Sequence, residues 1–451
     1  MALFLSLVGL LLRVGQVASQ LDSPSWNSTM TTSPTEIVRL AGAALDVAVN
    51  RLDADGLFDD AGYGIAGNLY SQMAEFDIAT NQTKSFGHAA VKAYTAYNNR
   101  EFLQYAVDSW WFGRSQTLSQ SDVSVGKIPG KNFSIPNVCQ NATMVGGVFL
   151  SDKPAESRIA GTATGYFLVL SALLAEATSD PLYLQAANES ADFIHSHLFN
   201  ARNIVQDYIF TDSDRACEVQ TSVDPTSSGL MIEGLSILAS ITNSTSTRNL
   251  LTDLLMAVIP NPAWQGDNGV VSVQGEMGGL MLLRGLATVY TRWSTNTTLR
   301  KYVGDYIAVQ FNPVTALATA SGTNIYGTSW KGPPNTSFSG TSQTLALGSL
   351  ISAIGLDAAP SSSPAPSLSP APAPQRNHRS SAILGGTLGG LAILVLILTV
   401  VWLMRLRHHR NSKASLTAKG VPKPFLGFVS FSFSFWPISW REAQDFITAF
   451  R

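Results

Sequence analysis

An all-α fold, built from helical hairpins set in a ring and followed by a stalk and one transmembrane helix, is predicted by three observations. The stretch Arg158 to Asn200 pairs a run that is apolar all round, Tyr166 to Ala175, with an amphipathic one. In the second run Leu184, Ala187, Ala191, Ile194 and Leu198 share a face opposite Gln185, Asn188, Glu189 and Asp192. The breaker Ser179-Asp180-Pro181 separates the two, with proline suited to a first helical position. The same grammar returns at Ala89 to Trp111, Gly229 to Val258 and Gly279 to Phe311, which is the mark of a repeat architecture. Hairpins whose first member is buried and whose second faces water close into a ring around a central cavity. Tyr166 to Ala175, Met231 to Ala239 and Met281 to Val289 are therefore expected as inner helices.

Composition is the third observation. The chain has 451 residues, of which 45% are hydrophobic and only 13% charged, so part of the apolar excess belongs to targeting or membrane segments. A net charge of -2 and the lack of a basic stripe interleaved with aromatics argue against nucleic-acid binding.

In chain order, Met1 to Ser19 reads as a secretory signal peptide ending in the small residues Val17-Ala18-Ser19, with a retained signal anchor as the alternative because Arg13 interrupts the apolar run. Sequons stand at Asn27, Asn81, Asn132, Asn141, Asn188, Asn243, Asn296 and Asn335, all before the apolar C-terminal run, as a lumenal domain requires. Cys139 and Cys217 are the only cysteines, and in an oxidising compartment they are expected to form one disulfide between two loops. Residues 359–381, with PSSSPAPSLSPAPAPQ, are too rich in proline and serine to pack and form a stalk. Ala382 to Met404 is long enough to span a bilayer and is followed at once by Arg405, Arg407, His408, His409 and Arg410, which places residues 405–451 in the cytosol and makes this a type I protein of the plasma membrane. Gly385, Gly386, Gly389 and Gly390 would permit close pairing of that helix with a second copy, or are simply small residues near its start. The tail carries no recognisable domain.

The chemistry is less direct. No H-E-x-x-H, G-x-S-x-G, P-loop or dinucleotide fingerprint occurs, and neither a metal nor a cofactor is implied. His195 and His197 are two apart on a helix and do not share a face, which argues against a metal pair. Trp110, Trp111, Phe149, Tyr166, Tyr326 and Trp330 lie near turns among scattered acids, the furniture of a sugar-binding cleft, although aromatics serve more often as core. Asp59-Asp60 is an adjacent carboxylate pair in the loop before Gly62 and Gly64, to be read either as catalytic or as cap and turn residues.

From about Ser33 to Leu356 the chain resembles glycoside hydrolase family 76. The matching pieces, in order, are GLFDDAGYGIAGNLYSQMAEF (Gly56 to Phe76), GGVFL (Gly146 to Leu150), the hairpin at Arg158 to Asn200, SSGLMIEGL (Ser227 to Leu235) and NIYGTSWKGP (Asn324 to Pro333). The resemblance implies an (α/α)6 toroid over residues 33–356 and endo-acting cleavage of α-1,6-mannan with retention, with α-mannan of a cell wall as partner. It also implies an Asp-Asp pair at the start of the inner helix that runs into AAVKAYTAY, but Asn81 to His88 contain no carboxylate and the connection is short. Polar positions of the next inner helices fall on Thr164, Gly165, Ser227 and Ser228. Retaining hydrolysis needs two carboxyl groups about 5 Å apart. Two readings therefore stand: a glycosidase using Asp59 and Asp60, with Trp110, Trp111, Phe149, Tyr166 and Trp330 holding the glycan, or an inactive relative that binds mannan or organises wall glycoproteins.

Overall fold

The computed structural model describes residues 26–80, 90–212, 214–215, 217–271, 278–293 and 296–356. The expected signal peptide, the sequon at Asn81, the stalk, the apolar run with its glycines and the tail lie outside the described residues. Among the described residues no helix is long and apolar enough to cross a membrane.

The described chain is mostly helical. Its α-helices are α1 (Pro34–Val49), α2 (Tyr63–Thr80), α3 (Ala90–Tyr97), α4 (Arg100–Ser115), α5 (Gln120–Val125), α6 (Gly161–Thr178), α7 (Pro181–Phe193), α8 (Pro225–Thr242), α9 (Thr245–Val258), α10 (Gly278–Arg292), α11 (Thr297–Leu317) and α12 (Gly340–Ser352). Local chemistry sets many of their ends. Ser33, Asp180 and Asp224 each cap a helix that opens on proline, accepting backbone N–H groups left over in the first turn, and α6 and α8 end on Ser179 and Asn243 in the left-handed region.

Six helices pack side by side in a closed inner ring, in the order α2, α3, α6, α8, α10, α12 and back to α2. The runs expected as inner helices lie in α6, α8 and α10 and are mostly buried, whereas α7, α9 and α11 pack on the ring from outside. Small residues let the inner helices approach: a Cβ at Gly285 of α10 would lie 2.5 Å from the Gly229 carbonyl oxygen of α8, and one at Gly234 of α8 would lie 2.4 Å from Leu168 of α6.

One expectation is corrected. The fold is not purely helical, because the long loops pair with one another. β1 (Val138–Cys139) and β2 (Ala142–Thr143) form a hairpin, and β3 (Arg158–Ala160), β4 (Gln206–Phe210) and β5 (Val219–Val223) form an antiparallel sheet in the order β3-β4-β5. Buried loop backbone has to satisfy its own N–H and C=O groups, and strand pairing does so. Among the described residues, five longer helices, α1, α4, α7, α9 and α11, stand outside the six inner ones.

Candidate functional site

The connections differ at the two ends of the ring. An inner helix passes to the next outer one through residues 98–99, 179–180, 243–244 or 293–296, whereas outer helices return through 50–62, 116–160, 199–224, 259–277 and 318–339. The long loops therefore gather at the N-terminal ends of the inner helices. There the starts of α6, α8 and α10 meet: Gly161 abuts Ser227, and Gly278 abuts Pro225. Asp60 from the first long loop accepts the Gly340 N–H of α12 with both oxygens, each at 3.1 Å. The Cys139–Cys217 disulfide ties two of the long loops, with Cα atoms 5.3 Å apart. At the opposite end the Arg292 guanidinium pairs with both carboxylate oxygens of Glu176 at 2.6 and 2.8 Å, linking α10 to α6.

Inside the ring, four charged side chains from four inner helices meet. Lys92 of α3 donates to Glu75 of α2 at 2.5 Å and lies 3.0 Å from Glu233 of α8, whose other oxygen accepts from Arg284 Nε of α10 at 2.9 Å. Burial by itself would raise the Glu233 carboxyl, but Arg284 and Lys92 outweigh it and hold it down to about 2. Arg284 is lowered by burial and raised by its carboxylate neighbours, with a net upward shift. Tyr166 of α6 adjoins the set; burial raises its hydroxyl, which also feels Arg284, Glu233 and Asp224. Two carboxylates against two cations leave a charge-balanced polar floor, in which both acids are engaged.

Nearer the long loops, Asp224 caps α8 by accepting from the backbone of Thr226 at 2.6 Å and Ser227 at 3.4 Å. Asp207 on β4 accepts from Ser222 Oγ at 3.3 Å, and burial, then the nearby Asp224 charge, push its carboxyl up. The two differ in kind: Asp224 is held by backbone N–H groups, whereas the Asp207 carboxyl is shifted upward by burial and by its neighbour. Sequence reasoning missed both, together with the four-charge cluster. The Asp-Pro step marks Asp224 as a cap, but nothing local signals Asp207.

The residues singled out from sequence disperse. Asp59 and Asp60 are exposed, and Asp60 is committed to the start of α12. Trp110 is fully buried on α4, donates to Ser171 Oγ at 2.8 Å and packs on Phe167 and Tyr183, so it is core. Phe149 is likewise buried beneath Lys131. Trp330 and Tyr326 are buried in the loop before α12, with the Tyr326 N–H donating to Gln343 at 3.0 Å. Trp111 is 54% exposed on an outer helix, and Tyr166 alone of these reaches the polar floor. Thr164, Ser227 and Ser228 are buried; Thr164 accepts from the Val148 N–H and Ser228 from that of Val205, so these hydroxyls anchor loops.

No family model matches the chain, and no curated protein does either. Solved structures do. An inactive variant of the α-1,6-mannanase GH76A of Salegentibacter sp. HEL1_6, in complex with α-1,6-mannotriose, superposes with a TM-score of 0.59 at 14% identity, covering 71% of this chain and 100% of that one. The family 76 glycoside hydrolase (mannosidase) Bt3792 of Bacteroides thetaiotaomicron gives 0.52 at 13% identity over 70% of this chain and 97% of its own. Dfg5 of Chaetomium thermophilum, in complex with glucosamine, gives 0.53 at 13% identity over 73% and 92%. The ring thus has the fold of the glycoside hydrolase family 76 mannanases.

Proposed function

We propose that this chain is a membrane-tethered, extracellular protein that binds α-1,6-mannan in the mouth of the ring and is impaired as a hydrolase. The observation that carries the reading is the fate of the acids. Cleavage with retention needs one carboxylate beneath the anomeric carbon and one acid beside the leaving oxygen, about 5 Å apart. Asp60 is bonded to the α12 backbone, Glu75 and Glu233 are paired with cations, and Asn81 to His88 offer no carboxylate. Hydroxyls at 164, 227 and 228 cannot replace an acid, and they are already engaged or buried. A glycan-binding role is supported by the fold, by the mannotriose bound to the Salegentibacter relative, and by the polar floor beneath the long loops. The secretory leader and the apolar run Ala382 to Met404 support tethering at the plasma membrane.

The test is calorimetry and product analysis on the purified ectodomain with α-1,6-mannotriose and longer oligomers. Binding without turnover, unchanged by Asp59→Asn or Asp60→Asn, is expected. Turnover that disappears with either substitution would assign Asp59 and Asp60 as the dyad and overturn the inactive reading. An absence of binding would remove mannan as the ligand.

A further inference from the structure

The described residues include seven sequon asparagines, Asn27, Asn132, Asn141, Asn188, Asn243, Asn296 and Asn335, and every one is exposed. Asn261, which stands before proline and outside any sequon, is buried at 6% exposure. Two of the seven occupy the short turns at the base of the ring, opposite the long loops. Asn243 ends α8 in the left-handed region at φ 55°, and its Oδ1 accepts from Arg248 at 2.8 Å. Asn296 caps α11, its Oδ1 accepting from the Leu299 N–H at 3.1 Å. In both, the amide oxygen is held by a donor of the same hairpin, while Nδ2 has no hydrogen-bond partner among the described residues. The acceptor hydroxyls two residues on, Thr245 and Thr298, are exposed as well.

We propose that Asn243 and Asn296 carry N-linked glycans, which stand on the base of the ring. The base is also where α12 ends, and the side chain of Leu356 lies against Gly304 of α11. The donor is a lipid-pyrophosphate-linked oligosaccharide of the secretory pathway. Nδ2 attacks C1 of the reducing-end sugar; the N–C bond forms, the C1–O bond breaks, the lipid pyrophosphate leaves with the electron pair, and Nδ2 gives up one proton. The cap at Asn296 survives this step because it uses Oδ1, so modification and helix start are compatible. The inference depends on secretion and not on the mannan reading.

The experiment is peptide mass spectrometry on the full chain secreted by a eukaryotic host, after enzymatic release of N-glycans in isotope-labelled water, which converts each formerly glycosylated asparagine to labelled aspartate. Label at both Asn243 and Asn296 is expected, with Thr298→Ala abolishing it at Asn296 and leaving Asn243 labelled. A predominantly unlabelled peptide at either site overturns the proposal, as does label at Asn296 that persists in Thr298→Ala.

Discussion

At position 233 a carboxylate is 1% exposed and still ionised, because Lys92 and Arg284 meet it inside the ring. Removing one partner of a buried pair leaves an uncompensated charge, which costs about 3–5 kcal/mol. Glu233→Ala is therefore expected to lower the urea midpoint by a corresponding amount, and an unchanged midpoint would show that the cluster contributes nothing. The pH dependence follows from the direction of the shift. The folded carboxyl sits at about 2 against an ordinary 4.5, so the unfolded chain binds more protons in between. The stability that Glu233 contributes is full above about pH 5 and is lost as pH falls towards 2, so the midpoints of wild type and Glu233→Gln should converge on going from about pH 7 to about pH 3. Tyr166 was legible as a candidate because it stands near the start of an apolar helix. Glu75, Lys92, Glu233 and Arg284 were not, since each is an isolated charge in its own segment and acquires meaning only through partners far along the chain.

Among the elements, α8 and α10 show how inner helices are fitted together. With backbone of α8 only 2.5 Å from where a Cβ on Gly285 would stand, Gly285→Ala must push the helices apart, at a cost of about 1–3 kcal/mol, whereas Gly62→Ala, where nothing lies within 4 Å, should be close to neutral. Thermal melts of the two variants check the contrast. The loop elements are joined by Cys139–Cys217, which spans 78 residues. The chain-entropy model gives such a crosslink about 4 kcal/mol, so the double Cys→Ser variant should unfold at markedly lower urea while keeping its helical circular dichroism in water. The apolar and amphipathic periodicities of α6 to α11 were readable because a helix writes its burial every three to four residues. The three-stranded sheet was not, because β4 and β5 are short and gain their pairing only once the loops are brought together.

For the molecule as a whole, six inner helices close the ring, and among the described residues five longer helices stand outside it. Cover from neighbours on every side is what slows local opening, so the amides of the inner helices α6 and α8 should exchange more slowly than those of α7 and α9, which pack on them from outside, in hydrogen-exchange mass spectrometry. Equal protection of inner and outer helices would refute this. The sequence by itself determined that the runs in α6, α8 and α10 are inner helices, that each is followed by an amphipathic one, where the hairpin of α6 and α7 turns, and that two cysteines join loops, because periodicity, capping and the count of thiols are local or chain-wide properties that no partner alters. Only the tertiary structure decided that Trp110 is core, that Asp60 accepts the Gly340 N–H at the start of α12, and that Glu75, Lys92, Glu233 and Arg284 share one site. Those outcomes depend on which helix stands beside which, and a charge or an aromatic ring carries no local signal of the neighbour that ring closure will bring to it.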